Sequence, residues 1–119
     1  MTRVATADDL ARVVRANRFF YADEDGLHQG LGAAWTEAGY TVRHEVKIDG
    51  GRIDFVVDRV GVEVKIAGTG DRVFQQCAAY AADRRLDALL VVTTRFRHTF
   101  LPSIVGGKPL TTVLIGGFF

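Results

Sequence analysis

The 119-residue sequence is poor in several features that would point to particular classes of protein. Its single cysteine, Cys77, cannot form a disulfide within the chain, which favours a reducing compartment. No apolar run approaches the ~20 residues that a membrane-spanning helix needs. The first residues also lack the basic-then-apolar pattern of a signal peptide. We therefore expect a cytoplasmic protein with no membrane partner.

The net charge of the chain is also small. The sequence carries 15 basic and 14 acidic residues, so its net charge is only +1. Any contact with nucleic acid must then depend on local patches rather than on bulk charge. Two clusters qualify: Arg12, Arg15 and Arg18 at near-helical spacing, and Arg95, Arg97 and His98. Each is equally compatible with an ordinary solvated surface.

Hydrophobic residues make up 48% of the chain and charged residues 24%, which is typical of one folded domain. Repeats, low-complexity stretches and linkers are missing, so we predict a single domain over residues 1–119. Within it we expect an N-terminal helix in 1–20, a central core in 21–95 that holds the site, and a C-terminal helix and strand in 96–119.

Turn and cap residues divide the chain into elements. Thr6 and Asp23 are suited to cap two helices, and Gly39 suits the end of the second. Asp49-Gly50-Gly51 predicts a hairpin turn, and Asp71 a third helix cap. The predicted helices are 6–20, 24–38, 72–85 and a short one over 96–104. The predicted strands are 40–48, 52–58, 61–66, 89–93 and 110–115. Hairpin strands followed by a crossover helix favour an α/β fold with a central mixed β-sheet flanked by helices.

Two of the apolar strands contain charged residues. Asp54 interrupts one, and Glu63 and Lys65 interrupt the next, where burial of charge is costly. Because strand side chains alternate, Glu63 and Lys65 share a face, and a turn near Arg59 would bring Asp54 across from them. Converging carboxylates require a cation or a proton, and hard oxygen ligands favour Mg²⁺ or Mn²⁺. The alternative is a solvent-facing cross-strand ion pair.

Asp54 and then Glu63-Val64-Lys65, in consecutive strands after a helix and a strand, resemble the signature of the PD-(D/E)XK nuclease superfamily. The resemblance covers roughly residues 20–95 and implies a restriction-endonuclease-like αβββαβ core. Asp54 and Glu63 match the two signature carboxylates, and Lys65 matches the lysine. Ile53 departs from the pattern, because the family name has proline at that position.

Two helices extend the resemblance. Many members carry a glutamate early in the helix before the sheet, where this chain has Glu24, with His28 one turn later. Taken alone, Glu24 is equally an acid that complements the helix dipole, and His28 equally a structural histidine. Gln76 and Tyr80 resemble the Gln-x-x-x-Tyr pattern of RecB-like members. Tyr80 is otherwise an ordinary core residue.

The resemblance implies roles for these residues. The expected catalytic set is Glu24, Asp54, Glu63, Lys65 and Gln76, with His28 as a weaker candidate. The expected ligands of Mg²⁺, which Mn²⁺ can replace, are Glu24, Asp54, Glu63 and the main-chain carbonyl of Val64. The expected nucleic-acid contacts are Arg52, Tyr80, Arg95 and Arg97.

The implied activity is that of a metal-dependent DNA endonuclease that hydrolyses phosphodiester bonds and needs no nucleotide cofactor. The small size resembles Holliday-junction resolvases, which implies a homodimer acting on branched DNA in recombination, repair or phage DNA processing. A catalytically silent nucleic-acid or protein-binding module on the same fold is the alternative. A structural dimer subunit is a third possibility, suggested by the apolar end Phe118-Phe119.

Overall fold

The computed structural model describes residues 4–116, in which a six-stranded mixed sheet carries three α-helices on its two faces. The elements in chain order are α1 (Ala7–Ala16), α2 (Glu24–Glu37), β1 (Val42–Ile48), β2 (Gly51–Val57), β3 (Val60–Lys65), α3 (Gly70–Ala81), β4 (Ala88–Thr93), a 3-10 helix (Phe96–Phe100), β5 (Ile104–Val105) and β6 (Lys108–Leu114). The prediction of an α/β fold with a mixed sheet is therefore confirmed. Phe118 and Phe119 lie outside the described residues.

The strands follow the order β1-β2-β3-β4-β6-β5 across the sheet. β1, β2 and β3 pair antiparallel, as hairpins do, whereas β3, β4 and β6 pair parallel. Helix α3 makes the crossover between the parallel strands β3 and β4. In the described part of the chain no helix is long and apolar enough to cross a membrane.

The first two helices begin where their cap residues predict. Thr6 forms a capping box with Asp9, and the Asp23 carboxylate accepts the N–H of Gly26. Helix α1, however, ends at Ala16 rather than at residue 20. Asn17 ends it, because its side-chain amide donates to the carbonyl of Val13 and its backbone turns to an extended conformation.

Helix α3 differs from the prediction at both ends. Thr69, not Asp71, is its N-cap, with the Thr69 hydroxyl accepting the N–H of Arg72. The helix ends at Ala81 instead of residue 85. Asp83 explains the early end, because its buried carboxylate accepts the N–H of Arg85 and turns the chain away from the helix.

The predicted helix over 96–104 is also wrong in extent. A single 3-10 turn ends at Phe100, and the next residues include Pro102, which has no N–H to continue a helix. Residues 104–114 instead form the β5–β6 hairpin. Gly106 and Gly107, with φ of 57° and 78°, make its turn.

Two hairpin turns place the central strands. Gly50 has a φ of 86°, and a Cβ at this position would lie only 2.8 Å from the backbone of Ala79. Glycine is therefore required both for the turn and for its close approach to α3. Asp58 forms the β2–β3 turn with a φ of 52°, and its carboxylate accepts the N–H of Ala5 at 2.7 Å.

The sheet separates two apolar layers. One lies against α1 and α2 and includes Leu10, Leu31, Trp35, Phe55, Val62 and Val92. The other lies against α3 and includes Ile53, Val56, Cys77, Tyr80, Leu89 and Val91. Sheet residues buried from both sides explain why the central strands are almost continuously apolar. Charged residues in those strands are consequently exceptions that need a separate explanation.

Candidate active site

Asp54 lies at an irregularity in β2. The pairing of β1 with β2 skips Glu45 and Asp54, and Glu45 has a φ of 53°, which is unusual for a residue within a strand. Simple alternation predicts that Ile53 and Phe55 share a face, but they pack in different core layers. The irregular backbone at Asp54 separates them and directs its carboxylate toward β3.

Side chains connect β2 to β3 at this point. The Asp54 carboxylate accepts the N–H of Val64 at 2.7 Å, and the Glu63 carboxylate accepts the N–H of Asp54 at 3.3 Å. The regular pairing of these strands runs from Val57–Val60 to Phe55–Val62. The Asp54 carboxylate is thus held by the backbone of Val64 and the Glu63 carboxylate by the backbone of Asp54, which keeps the two acids on neighbouring strands.

Glu63 is the most perturbed acid of this group. It is 4% exposed, which rules out the alternative of a solvent-facing cross-strand pair. Burial, and then the negative charge of Asp54, raise the pKa of Glu63 from 4.5 to about 7, while Lys65 opposes the rise. The carboxyl of Glu63 therefore holds its proton more tightly than an ordinary glutamate does.

Lys65 completes the predicted trio. Its Nζ lies 3.3 Å from Oε2 of Glu63, and its side chain is 24% exposed. It stands at the last residue of β3, so its ammonium lies between the buried carboxylate and solvent. An ammonium in this position can contact an anionic group that approaches from outside.

Helix α2 contributes Glu24 and His28 from the other side of Asp54. Nε2 of His28 lies 3.9 Å from Oδ2 of Asp54 and 3.6 Å from Oε1 of Glu24. His28 is buried, and among residues 4–116 its Nε2 has no hydrogen-bond partner. A buried nitrogen without a partner is costly and marks a place for a ligand or a proton. The structure therefore brings His28 into the same group as Asp54.

His44 was not anticipated from the sequence. Its Nε2 lies 3.0 Å from Nδ1 of His28, so that one of the two nitrogens supplies the shared proton. Its ring stacks on Phe55 with centroids 4.7 Å apart. Residue 44 is the register partner of Phe55, but the contact with His28 spans 16 residues of sequence. Only the packing of α2 on the sheet produces that contact.

Gln76 and Tyr80 form a network beneath the site. Gln76 donates to the Tyr80 hydroxyl at 2.8 Å, and the hydroxyl donates to the Arg52 carbonyl at 2.9 Å. Tyr80 is 2% exposed, and burial raises its pKa to about 12. The expectation that Tyr80 contacts nucleic acid is wrong for this buried ring. Gln76 and Tyr80 instead fix the start of β2, two residues before Asp54.

The basic cluster after β4 is divided. Arg95 and Arg97 are exposed and donate through Nε to the carbonyls of Ile66 and Gly68. His98 is fully buried between the Thr93 hydroxyl and the Gly68 carbonyl, so its assignment to an exposed basic patch is wrong. The exposed guanidinium groups of the cluster are next to the carboxyl end of β3.

The other predicted basic residues lie at separate places. Arg12, Arg15 and Arg18 are exposed, but only the first two belong to α1, because the helix ends before Arg18. Arg12 lies 3.6 Å from Asp9. Arg52 is exposed at the start of β2, and its carbonyl is the one held by Tyr80.

The oxygen atoms near Asp54 and Glu63 are potential ligands of a divalent cation. Across residues 4–116, no three or more His, Cys, Asp or Glu side chains form a ready-made metal site. Mg²⁺ usually keeps several waters and needs only one or two protein carboxylates. Asp54 and Glu63 supply that number. Since the N–H and C=O of a strand residue point to the same side, the Val64 carbonyl also faces the Asp54 edge.

Two features of the residues around Asp54 are compatible with a bound cation. The raised pKa of Glu63 shows that its charge is poorly compensated, and a cation would relieve its repulsion from Asp54. The unpartnered Nε2 of His28 lies on the same side of Asp54 as Glu24. The residues present are therefore chemically suited to a Mg²⁺ ion.

Comparison with family models, with curated proteins and with solved structures finds no match to this chain.

Proposed function

We propose that this protein is a metal-dependent DNA endonuclease with the restriction-endonuclease-like core of the PD-(D/E)XK superfamily. The observation that carries the proposal is the buried, poorly compensated Glu63 carboxyl between Asp54 and Lys65. A purely structural ion pair has no need of two converging carboxylates. The element order α2-β1-β2-β3-α3-β4 supports the proposed core.

Asp54, Glu63 and the Val64 carbonyl would hold Mg²⁺, with Glu24 and His28 on the α2 side. The chemistry that such an ion supplies when bound is a lowered pKa for a water molecule and a polarised phosphoryl oxygen. Mn²⁺ has similar ligand preferences and would substitute. Occupancy would also favour the charged form of Glu63.

Lys65 would stabilise the negative charge that develops on the phosphate in the transition state. Its position at the end of β3 places the ammonium at the edge of the buried pair. Gln76 would act indirectly, because its amide is bonded to the Tyr80 hydroxyl and through it to the β2 backbone. It is therefore a positioning residue in this proposal.

A chain of this size would act as a homodimer on branched DNA, as Holliday-junction resolvases do, in recombination, repair or phage DNA processing. The test is cleavage of a labelled four-way junction, a linear duplex and a single strand, each with Mg²⁺, Mn²⁺ or chelator. We expect metal-dependent cutting by the wild-type protein and none by Asp54→Asn. Asp49→Asn, a change of an exposed aspartate in the β1–β2 turn, is the matched control.

The three substrates distinguish the outcomes. Cutting of the junction alone supports the resolvase-like specificity, whereas equal cutting of linear DNA keeps the nuclease and removes the preference for junctions. If folded wild-type protein binds DNA but cuts no substrate with either metal, the nuclease proposal fails and the silent binding module takes its place.

A further inference from the structure

An exposed aromatic surface lies beside the candidate active site. Phe96 and Phe100, in the 3-10 helix, are 58% and 78% exposed. Their rings meet edge to face with centroids 5.4 Å apart and planes at 90°. Burying such rings would be favourable, but the chain leaves them in solvent. We call these two rings the aromatic platform.

A cleft borders the platform. Its volume is about 340 Å³, and its lining includes Asp71, Phe74, Gln75, Arg97, Phe100 and Leu101. Apolar groups thus lie beside an amide and a carboxylate, both exposed. A nucleobase combines a flat apolar face with hydrogen-bonding edges, and the lining of this cleft is complementary to both.

Two arginines border the platform and are held by the backbone. Nε of Arg95 donates to the Ile66 carbonyl at 2.6 Å, and Nε of Arg97 donates to the Gly68 carbonyl at 2.8 Å. Each guanidinium is fixed by one bond, while the side chain remains exposed. Guanidinium groups that are oriented in advance are well suited to phosphate oxygens.

The platform is continuous with the candidate active site. The N–H of Thr94 donates to the Lys65 carbonyl at 3.1 Å, and Arg95 contacts the next residue, Ile66. The 3-10 helix with both rings begins immediately after Arg95. A strand whose phosphate reaches Lys65 would therefore lead its adjoining nucleotides toward the platform.

We propose that Phe96 and Phe100 stack unpaired bases while Arg95 and Arg97 hold the adjoining phosphates. This inference rests on the proposed nuclease function and narrows its substrate to nucleic acid with a single-stranded segment. Paired bases in a duplex already stack on one another and do not present their faces to a protein. Apolar rings bordered by fixed arginines favour nucleic acid over a protein partner.

The test measures binding without cleavage. Fluorescence anisotropy in chelator, in the Asp54→Asn background, compares a labelled oligothymidylate with a blunt duplex of equal length. Phe100→Ala should weaken single-strand binding roughly 5- to 100-fold and leave duplex binding nearly unchanged. Phe100→Trp, which keeps a ring, should restore it. Val4→Ala is the control, because Val4 is 64% exposed and lies with Arg59 and Asp87 at the opposite end of β3 and β4 from the platform.

Several results would overturn the proposal. Unchanged single-strand binding by Phe100→Ala would do so, as would an equal loss for duplex, which indicates contacts with phosphates alone. Unchanged oligonucleotide binding combined with a shift of Phe100→Ala from dimer to monomer in sedimentation would assign the rings to a protein interface. Ring-dependent binding without cleavage by the wild-type protein would keep the platform and reject only the nuclease.

Discussion

Two acidic residues are almost equally buried in this molecule, yet their surroundings differ. Asp83 is 1% exposed and Glu63 is 4% exposed, and each has a cation beside it. Asp83 accepts the N–H groups of Asp49 and Arg85 at 2.8 Å and two guanidinium bonds from Arg85. These bonds lower the pKa of Asp83, whereas burial and Asp54 raise that of Glu63.

The difference in hydrogen bonding distinguishes Asp83, a structural acid, from Glu63, a candidate functional one. Asp83 is satisfied by donors of its own chain and joins the β1–β2 turn to the end of α3. Glu63 has one long backbone contact, one ammonium and a repelling neighbour. A buried carboxyl that its own chain compensates only in part is typical of sites that bind or catalyse.

The largest expected effect concerns the role of Lys65 in cleavage. Lys65→Ala should reduce cleavage in Mg²⁺ by about 10²–10³-fold, because the ammonium beside Glu63 is lost. The fold should persist, since Lys65 is the last residue of β3 and its side chain is 24% exposed. Initial cleavage rates and circular dichroism check both expectations. Arg85→Ala, which removes the cation beside Asp83, should leave the cleavage rate of the folded protein unchanged.

The next largest effect concerns the role of Asp83 in stability. Asp83→Asn should lower the thermal denaturation midpoint by several degrees, because an amide NH2 replaces one of the two oxygens, each of which accepts a backbone N–H and a guanidinium N–H. The cleavage rate per folded molecule should stay at the wild-type level. Thermal denaturation alongside the cleavage assay measures both. A folded Asp83→Asn protein with no activity would show that the two regions are not separable.

The pH dependence of stability sharpens the comparison, because the two pKa shifts have opposite signs. The folded state binds the Glu63 proton more tightly than the unfolded state does. In chelator, the free energy of unfolding should therefore fall as pH rises from 4.5 to about 7, by up to roughly 3 kcal/mol. Asp83 contributes stability above its ordinary pKa of 3.8 and loses it at lower pH.

The Glu63→Gln variant tests the contribution of Glu63 to this pH dependence. It removes the buried charge, so the decline between pH 4.5 and about 7 should disappear. Chemical denaturation at a series of pH values provides the measurement. A flat wild-type profile across this interval would mean that Glu63 titrates normally.

The smallest expected effect concerns α2. Glu24→Gln should lower cleavage about tenfold, because the Glu24 carboxylate lies beside His28 at the edge of the group. Asp25→Asn, the adjacent exposed acid in the same helical turn, is the control and should have no effect. Equal losses in the two variants would indicate a general effect of charge at the helix start.

Local signals account for what the sequence predicts. Thr6 and Asp23 act through residues three positions away, and the Asp58 turn pairs β2 with β3 as far as Phe55–Val62, the residues next to Asp54 and Glu63. The approach of Glu24 to the site was predicted only through the family resemblance. The proximity of Asp54, Glu63 and Lys65 thus followed from the sequence, whereas the irregularity of β2 at Asp54 did not.

Long-range packing accounts for what the sequence did not predict. His44 meets His28 only because α2 lies on the sheet, and Asp83 meets the Asp49 turn across 34 residues. The burial of His98 depends on the loop at Gly68, 30 residues earlier. No local periodicity encodes such contacts, so the satisfied and unsatisfied acids cannot be distinguished without the fold.

The central claim is that a divalent cation binds the poorly compensated Glu63 carboxyl together with Asp54. Mn²⁺ titration calorimetry on the wild-type protein and on Glu63→Gln tests it most directly. We expect saturable Mn²⁺ binding by the wild-type protein and its loss in Glu63→Gln, although that variant remains folded. Equal Mn²⁺ binding by the two proteins, or none by the wild type, would contradict the claim.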